Sequence, residues 1–146
     1  MNARFNYAKV YPQVFERMIE MENFAKSSGI EIKLYELIKI RASQINGCAF
    51  CINMHTVDAR KLGEEERRIY LLNAWREAPY YTEKERAALE LTEFVTKISE
   101  HGVPDDLYTR VRAHFEEKEF IALIVVINTI NSWNRIAIST GMTAPN

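Results

Sequence analysis

The sequence predicts an all-α, single-domain protein of six to seven helices, and three observations support this fold class. Apolar residues recur at helical spacing along almost the whole chain, and no run has the strict alternation of a half-buried strand. The length of 146 residues is typical of one domain. No internal repeat, low-complexity stretch or interdomain linker divides the chain, so we expect residues 1–146 to form one domain.

Start and stop signals place the first three helices. The first begins at Pro12, which suits a first helical turn, and ends at Ser27-Ser28-Gly29. The second runs from about Ile32 to Ile45, where Asn46-Gly47 breaks the helical pattern. The third is expected to run from Cys48 to Leu62.

The second half of the chain carries the signals for the remaining helices. Glu64-Glu65-Glu66 places negative charge where the helix dipole favours it, at the start of a fourth helix. Thr82 and Glu85 form a capping box for the fifth. The predicted ranges of these helices are about 64–78, 82–101, 105–115 and 117–140.

Composition excludes several classes of partner. The net charge of −1 gives no reason to expect a nucleic-acid or anionic-membrane partner. The first seven residues show no secretory signal, and the most apolar stretch, Phe120 to Ile130, is too short to span a bilayer. We therefore expect a cytoplasmic protein with neither a nucleic-acid nor a membrane partner.

Four residues form the candidate site. Cys48 and Cys51 are the only cysteines and are spaced as C-x-x-C, with His55 four residues later and Glu36 twelve residues earlier. In a reducing compartment such a pair is more typical of catalysis or metal binding than of a structural disulfide. If Cys48 opens a helix, both thiols and His55 share one face. The two Cα atoms would then lie about 5–6 Å apart, which suits a reversible disulfide.

The neighbouring groups favour thiol chemistry. A helix N-terminus stabilises a thiolate, and His55 is one turn from Cys51, so it can accept or relay a proton. Glu36 lies on the preceding helix. If Asn46-Gly47 folds that helix back, the Glu36 carboxylate can reach and orient the imidazole. The N-terminal position favours Cys48 as the lower-pKa thiol, whereas nearness to His55 favours Cys51.

Other kinds of site are possible with the same residues. A zinc site is the main alternative, because all four side chains are acceptable ligands, but adjacent turns of one helix converge poorly on a tetrahedral centre. The cysteines could also simply be buried. Haem attachment fails because Ile52 stands where a histidine must follow, and no strand precedes the cysteines as in a thioredoxin fold. We expect no bound metal and no cofactor.

Several further polar or aromatic residues receive structural interpretations. The charged run from Glu64 to Arg68 is expected to be a solvated face. Tyr35 and Trp133 are expected to pack in the core. Asn128, Asn131 and Arg135 are expected to belong to a buried hydrogen-bond network or a subunit interface, and Arg135 could also pair with Glu36.

The complete pattern, Glu-x11-Cys-x2-Cys-x3-His in an all-helical chain of this size, resembles the alkylhydroperoxidase D-like (AhpD-like) family of the carboxymuconolactone decarboxylase superfamily. The run from Arg41 to Cys48 and the run from Asn131 to Ala137 are similar to two characteristic segments of one subgroup. The resemblance covers most of the chain.

The resemblance implies a thiol-dependent antioxidant enzyme, either a peroxidase acting on hydroperoxides or a disulfide reductase. It implies that Cys51 attacks the peroxide and passes through a sulfenic acid, that Cys48 resolves it to a disulfide, and that Glu36 and His55 form a proton relay. The implied partners are a small-molecule hydroperoxide and a thiol or lipoyl-type reductant. The implied assembly is a homo-oligomer, a trimer or a hexamer.

One departure from the family pattern stands beside the attacking cysteine. The well-studied member has a histidine immediately before its second cysteine, where this chain has Phe50. The change makes the site more apolar. The alternatives to the antioxidant enzyme are a non-enzymatic redox sensor, a metal-binding helical oligomer, and a decarboxylase-like enzyme that would not rely on the cysteine pair.

Overall fold

The computed structural model describes residues 3–144, and every regular element in that range is helical, which confirms the predicted class. The helices are α1 (Tyr7–Val10), α2 (Pro12–Lys26), α3 (Ile32–Asn46), α4 (Ala49–Lys61), α5 (Glu66–Tyr70), α6 (Glu83–Thr96), α7 (Ile98–His101), α8 (Asp105–Arg112) and α9 (Glu117–Thr140). A single 3₁₀ turn, Leu72–Ala74, follows α5 in this part of the chain.

The helix count is higher than the six to seven predicted because predicted helices are interrupted and one short helix was not predicted. The predicted fourth helix consists of α5 and the 3₁₀ turn. The predicted fifth divides at Lys97, whose φ of −107° and ψ of 43° leave the helical region. The short α1 was not predicted, and the Asn6 side chain caps it by accepting a hydrogen bond from the Lys9 N–H.

Helices α3 and α9 form the centre of the fold. Both pack against α4 and α6, and they also pack against each other. Residues 34–40 of α3 are all buried, and the largest apolar cluster includes Leu34, Ile38, Leu91 and Leu123. Full burial of one such side chain contributes about 1.5–3 kcal/mol. The candidate site therefore rests on the most deeply buried helix of the fold.

Helix α9 is long and apolar enough to cross a membrane by these two criteria alone, with a mean hydropathy of 1.4 over its most apolar window. Half of that window is buried inside the described part of the protein. Core helices commonly have these properties. Here α9 supplies core residues such as Leu123, Val126 and Ile127, whose side chains pack onto α3, α6 and α8.

The predicted solvated face at 64–68 is wrong for its two terminal residues. Glu64 is buried, and its Oε1 accepts a 2.8 Å hydrogen bond from Arg68 Nε. Arg68 Nη2 also donates to Glu85 Oε1 at 2.5 Å. The ion pairs join the start of α5 to the capping box of α6. The local charge pattern did not reveal this, because Glu85 lies 17 residues along the chain from Arg68.

Candidate active site

A tight turn brings the two cysteines to the start of α4. Gly47 ends α3 in the left-handed conformation, with φ 70° and ψ 31°, which glycine adopts without a Cβ penalty. Cys48 is then the N-cap of α4, which begins at Ala49, one residue after the predicted start, and the Cys48 Sγ accepts from the Cys51 N–H at 3.4 Å. The cysteine pair thus occupies the helix N-terminus, as predicted.

The structure contains the oxidised form of this pair. Cys48 and Cys51 are joined by a disulfide with their Cα atoms 5.4 Å apart, and both residues are buried. Both cysteines belong to a buried cluster with Ala42 and Ile130, but Cys51 also lines a cavity of about 360 Å³, whereas Cys48 is not among its lining residues. Of the two sulfur-bearing residues, Cys51 is therefore the one that a molecule in the cavity would meet.

Glu36 and His55 come together across the turn. His55 Nδ1 lies 2.8 Å from Glu36 Oε2, and only 5% of either side chain is exposed. An ionised carboxylate can only accept a hydrogen bond, so Nδ1 carries the proton in this pair. His55 Nε2 is buried and has no hydrogen-bond partner in the described structure. The pair therefore leaves Nε2 as a free proton acceptor beside the cavity.

The cavity is lined by a larger apolar set of residues and a smaller polar set. Its apolar and aromatic lining residues are Tyr7, Phe15, Ile19, Tyr35, Phe50, Met54, Trp133, Ala137 and Met142. Its polar lining residues, apart from Cys51, are Glu22, Asn23, Lys26, Glu36, His55 and Asp58. Concave, mostly apolar sites with a few convergent polar groups are the usual form of small-molecule sites. Asp58, one turn after His55, was not predicted as part of the site.

Helices α1 and α2 supply one wall of the cavity. Tyr7 comes from α1, and Phe15, Ile19 and Glu22 come from α2. Ala25 is the one fully buried residue of α2, so much of this helix remains at the surface. The apolar side chains of Phe15 and Ile19 therefore serve as cavity lining.

Glu22, which is partly buried, is the centre of a polar cluster that the sequence did not reveal. It accepts hydrogen bonds from the Tyr35 hydroxyl, from Lys39 Nζ and from Trp133 Nε1, the last at 2.9 Å. Burial alone would raise the pKa of Glu22, but the Lys39 charge and these three hydrogen bonds outweigh it and hold the pKa below the usual range. Tyr35 and Trp133 therefore make polar contacts as well as packing contacts.

Lys39 is fully buried in α3, one turn after Glu36. Burial lowers the pKa of Lys39, and the carboxylates of Glu22 and Glu36 oppose this effect. Its one sequence signal is weak: Lys39 interrupts the otherwise apolar run Leu37-Ile38-Lys39-Ile40.

The two subgroup-like segments meet in an asparagine network. Asn46 Nδ2 donates to Asn131 Oδ1 and to Asn134 Oδ1, both at 2.9 Å. Asn134 in turn donates to Ser43 Oγ at 2.9 Å. Arg135 Nη1 donates to Asn131 rather than pairing with Glu36, so the predicted hydrogen-bond network is present and the suggested Arg135–Glu36 pair is not formed. Asn128, which was also predicted for the buried network, is exposed and takes no part in these hydrogen bonds.

The residues that could hold a metal in this structure differ from the four that the sequence suggested for a zinc site. The two cysteine sulfurs are bonded to each other and offer no thiolate. Glu36, His55 and Asp58 each offer one atom within 4.8 Å of the others, a grouping that could hold a small divalent cation. However, His55 Nδ1 is already bonded to Glu36, and Asp58 lies 3.5 Å from Lys61 Nζ. We assign no metal to these residues.

Comparisons with known proteins identify the family to which this chain is similar. Residues 12–94 match the model of the carboxymuconolactone decarboxylase family. The uncharacterized protein YdfG of Bacillus subtilis (strain 168) is 52% identical over 141 residues, which are 97% of this chain and 96% of YdfG. A crystal structure of ATU0492 from Agrobacterium tumefaciens matches with a TM-score of 0.97 and 47% identity over 99% of both chains.

ATU0492 is described as a protein of unknown function with a provisional assignment as the antioxidant defence protein AhpD. The debrominase Bmp8, solved with 2,3,4-tribromopyrrole, matches with a TM-score of 0.83 at 16% identity, over 94% of this chain and 73% of Bmp8. That similarity concerns the fold alone. The family match, the high identity to full-length relatives and the cysteine pair lead to one conclusion: this chain belongs to the AhpD-like branch of the carboxymuconolactone decarboxylase family.

Proposed function

We propose that the protein is a thiol-dependent antioxidant enzyme that reduces hydroperoxides through Cys48 and Cys51. One observation carries the proposal: Cys51, in a disulfide with Cys48, lines a cavity that also contains the hydrogen-bonded pair His55 and Glu36. A redox-active pair, a proton acceptor and space for a small molecule are thus in one place. The provisional antioxidant assignment of ATU0492 agrees with this proposal.

In the first step, His55 Nε2 takes the proton of the reduced Cys51 thiol. The thiolate attacks the outer peroxide oxygen, so that an S–O bond forms while the O–O bond breaks. The departing alkoxide takes the proton back from His55 and leaves as an alcohol. Glu36 holds the imidazole by its Nδ1–H and stabilises the positive charge that the ring carries between the two transfers.

In the second step, Cys48 attacks the sulfenic sulfur of Cys51, and water leaves as the disulfide forms. The sulfur atoms need little movement, because the Cα atoms of the two residues lie 5.4 Å apart on one helical turn. A dithiol reductant then returns two electrons and two protons. We propose a thiol or lipoyl-type reductant, whose neutral, apolar dithiol fits the apolar wall around Cys51.

The charges in the cavity favour a neutral substrate. Glu22, Glu36 and Asp58 line it, whereas Lys26 is the one lysine or arginine among the lining residues that the structure describes. An anionic lactone acid, the kind of substrate that a decarboxylase would take, would meet repulsion there. A neutral organic hydroperoxide would not.

The test is a peroxidase assay with several dithiol reductants, run on the wild type, Cys51→Ser and Cys48→Ser. We expect peroxide-dependent oxidation of the reductant in the wild type and its loss in Cys51→Ser. Equal rates for wild type and Cys51→Ser would contradict the proposal. Turnover of a lactone acid that survives loss of both cysteines would instead indicate a decarboxylase, and a reversible disulfide without turnover would indicate a sensor.

A further inference from the structure

Lys39 occupies an unusual place for a lysine. It has no exposed surface, and its Nζ donates a hydrogen bond to Glu22 and lies 4.6 Å from the centre of the Tyr35 ring. It also follows Glu36 by three residues on α3, which places the two side chains on adjacent turns of one helix face. A buried cation therefore contacts the carboxylate of α2 and lies one helical turn from the residue that holds His55.

Buried charges are costly unless they are paired, so negative groups near Lys39 have to offset its positive charge. The titratable groups that face this region are Glu22 and Lys26 from α2, Tyr35 and Glu36 from α3, His55 and Asp58 from α4, and Tyr7 from α1. Tyr7 and Tyr35 have raised pKa values, mainly because of burial, and stay neutral. Lys39 is the buried cation in a group dominated by carboxylates.

We propose that Lys39 is a positioning residue for the proton relay: its buried ammonium offsets the negative charge of Glu22 and Glu36 and so disfavours a second proton on His55, which leaves Nε2 free. The role assigned to Lys39 depends on the proposed thiol chemistry, but the pH titration of His55 that tests it does not. Lys39 touches neither the cavity nor the sulfur atoms in the described contacts, and it acts through Glu36 and Glu22.

The direction of the effect follows from charge alone. A positive charge near an imidazole disfavours the imidazolium, and a negative charge favours it. Removing the ammonium leaves Glu22 and Glu36 without their shared cation, so His55 would hold a second proton more readily. The same change would disfavour the Cys51 thiolate. Both shifts would slow proton removal from the thiol at neutral pH.

The experiment is an NMR titration of ¹⁵N-histidine-labelled protein in the disulfide form, comparing wild type with Lys39→Met. His101 and His114 are both exposed and provide internal controls. In Lys39→Met we expect the titration midpoint of His55 to rise by about one pH unit, for one charge acting at an effective dielectric constant of about 20. The midpoints of the two controls should not move. Lys39→Arg, which keeps the cation, should stay near wild type.

A double variant tests whether charge or packing is responsible. Lys39→Met with Glu22→Gln removes a cation and an anion together, so we expect at least half of the His55 shift to disappear. A purely structural role would lower stability without moving the midpoint. If Lys39→Met does not fold, Lys39→Gln replaces it, because glutamine keeps a donor for Glu22 without the charge.

An unchanged His55 midpoint in a folded, neutral Lys39 variant would overturn the inference. The titration uses the disulfide form and no peroxide, so it is independent of turnover. A shifted midpoint in a protein without peroxidase activity would support the role of Lys39 and contradict the proposed enzyme. Peroxidase activity together with a His55 midpoint that does not move in Lys39→Met would support the proposed enzyme and contradict the role of Lys39.

Discussion

Asn46 donates a hydrogen bond to Asn134, Nδ2 to Oδ1 at 2.9 Å, and this contact ties the turn before the cysteines to α9. The residues are 88 positions apart in sequence. Asn46 is the last residue of α3, and Gly47 and Cys48 follow it directly. The contact thus fixes the place where the chain leaves α3, and with it the direction in which α4 presents Cys51 to the cavity.

Asn46→Ala should lower the free energy of unfolding by about 1–3 kcal/mol, because it leaves a buried acceptor on Asn134 unpaired. The measurement is urea denaturation of the disulfide form. Asn128→Ala is the matched control, since Asn128 lies on α9 but is exposed. Equal losses in the two variants would show that the network does not hold the turn.

Cys48→Ser should trap Cys51 as a sulfenic acid after one equivalent of peroxide, because the resolving thiol is gone. Mass spectrometry should detect one added oxygen on the peptide containing Cys51, and a dimedone adduct should form there. Cys51→Ser is the control and should gain no oxygen on Cys48. Rapid oxidation of Cys48 in that control would reverse the assignment of the two roles.

Glu36→Gln should slow peroxide reduction by about 100- to 10,000-fold, the usual contribution of positioned acid–base groups. Glutamine keeps an oxygen that can accept from His55 Nδ1–H but loses the charge that supports the imidazolium. The measurement is kcat/KM for an organic hydroperoxide. Glu20→Gln on the exposed side of α2 is the control, and similar rates in both variants would remove Glu36 from the relay.

Phe50→His should increase the rate of peroxide reduction, since it places a polar group beside Cys51 where the well-studied AhpD-like member has a histidine. Phe50 is partly buried, packs against the cysteine cluster and lines the cavity. Phe50→Leu is the control, because it keeps the position apolar. A loss of activity in Phe50→His, with the fold intact, would show that the apolar neighbour serves this protein's own substrate.

Glu93 should contribute to stability at neutral pH and lose that contribution in acid. It accepts from Arg41 Nε and Trp75 Nε1, both at 2.9 Å, and from Arg76 Nη1 at 2.5 Å. Burial opposes the charge, but these donors prevail and hold the pKa below the usual 4.5.

A lowered folded-state pKa means that the stabilisation from Glu93 is complete above the unfolded value and disappears as the pH falls through the folded value. Glu93→Gln should therefore cost about 1–3 kcal/mol at pH 7 and should reduce the acid dependence of stability below about pH 4.5. Urea denaturation at several pH values measures both effects. Glu83→Gln, at an exposed position of α6, should change neither.

Local sequence signals predicted most of the helical architecture. Pro12 begins α2, Thr82 caps α6, and Gly141 ends α9, each as expected from short-range chemistry. The break at Lys97 was not predictable in this way, because the helical pattern continues across it. The fold class, including the absence of strands from residues 3–144, needed nothing beyond periodicity.

The candidate site also has a part that the sequence predicted and a part that it did not. Cys48, Cys51 and His55 share one helix, so their spacing was enough to place them together, and the turn at Gly47 made the contact with Glu36 foreseeable. Glu22 could not be foreseen, since on α2 it resembles any solvated glutamate. Its role depends on contacts with Lys39 and Trp133, and the latter lies 111 residues away.

The disulfide closes within the first turn of α4, between Cα atoms 5.4 Å apart. Because a pair this close needs little backbone movement to open, we expect reduction to change mainly the chemistry of the two sulfur atoms. Both cysteines are buried, and Cys51 is the one that lines the cavity. A reductant therefore has to bring its own thiol into the cavity, and the shape of the cavity limits which reductants can do so.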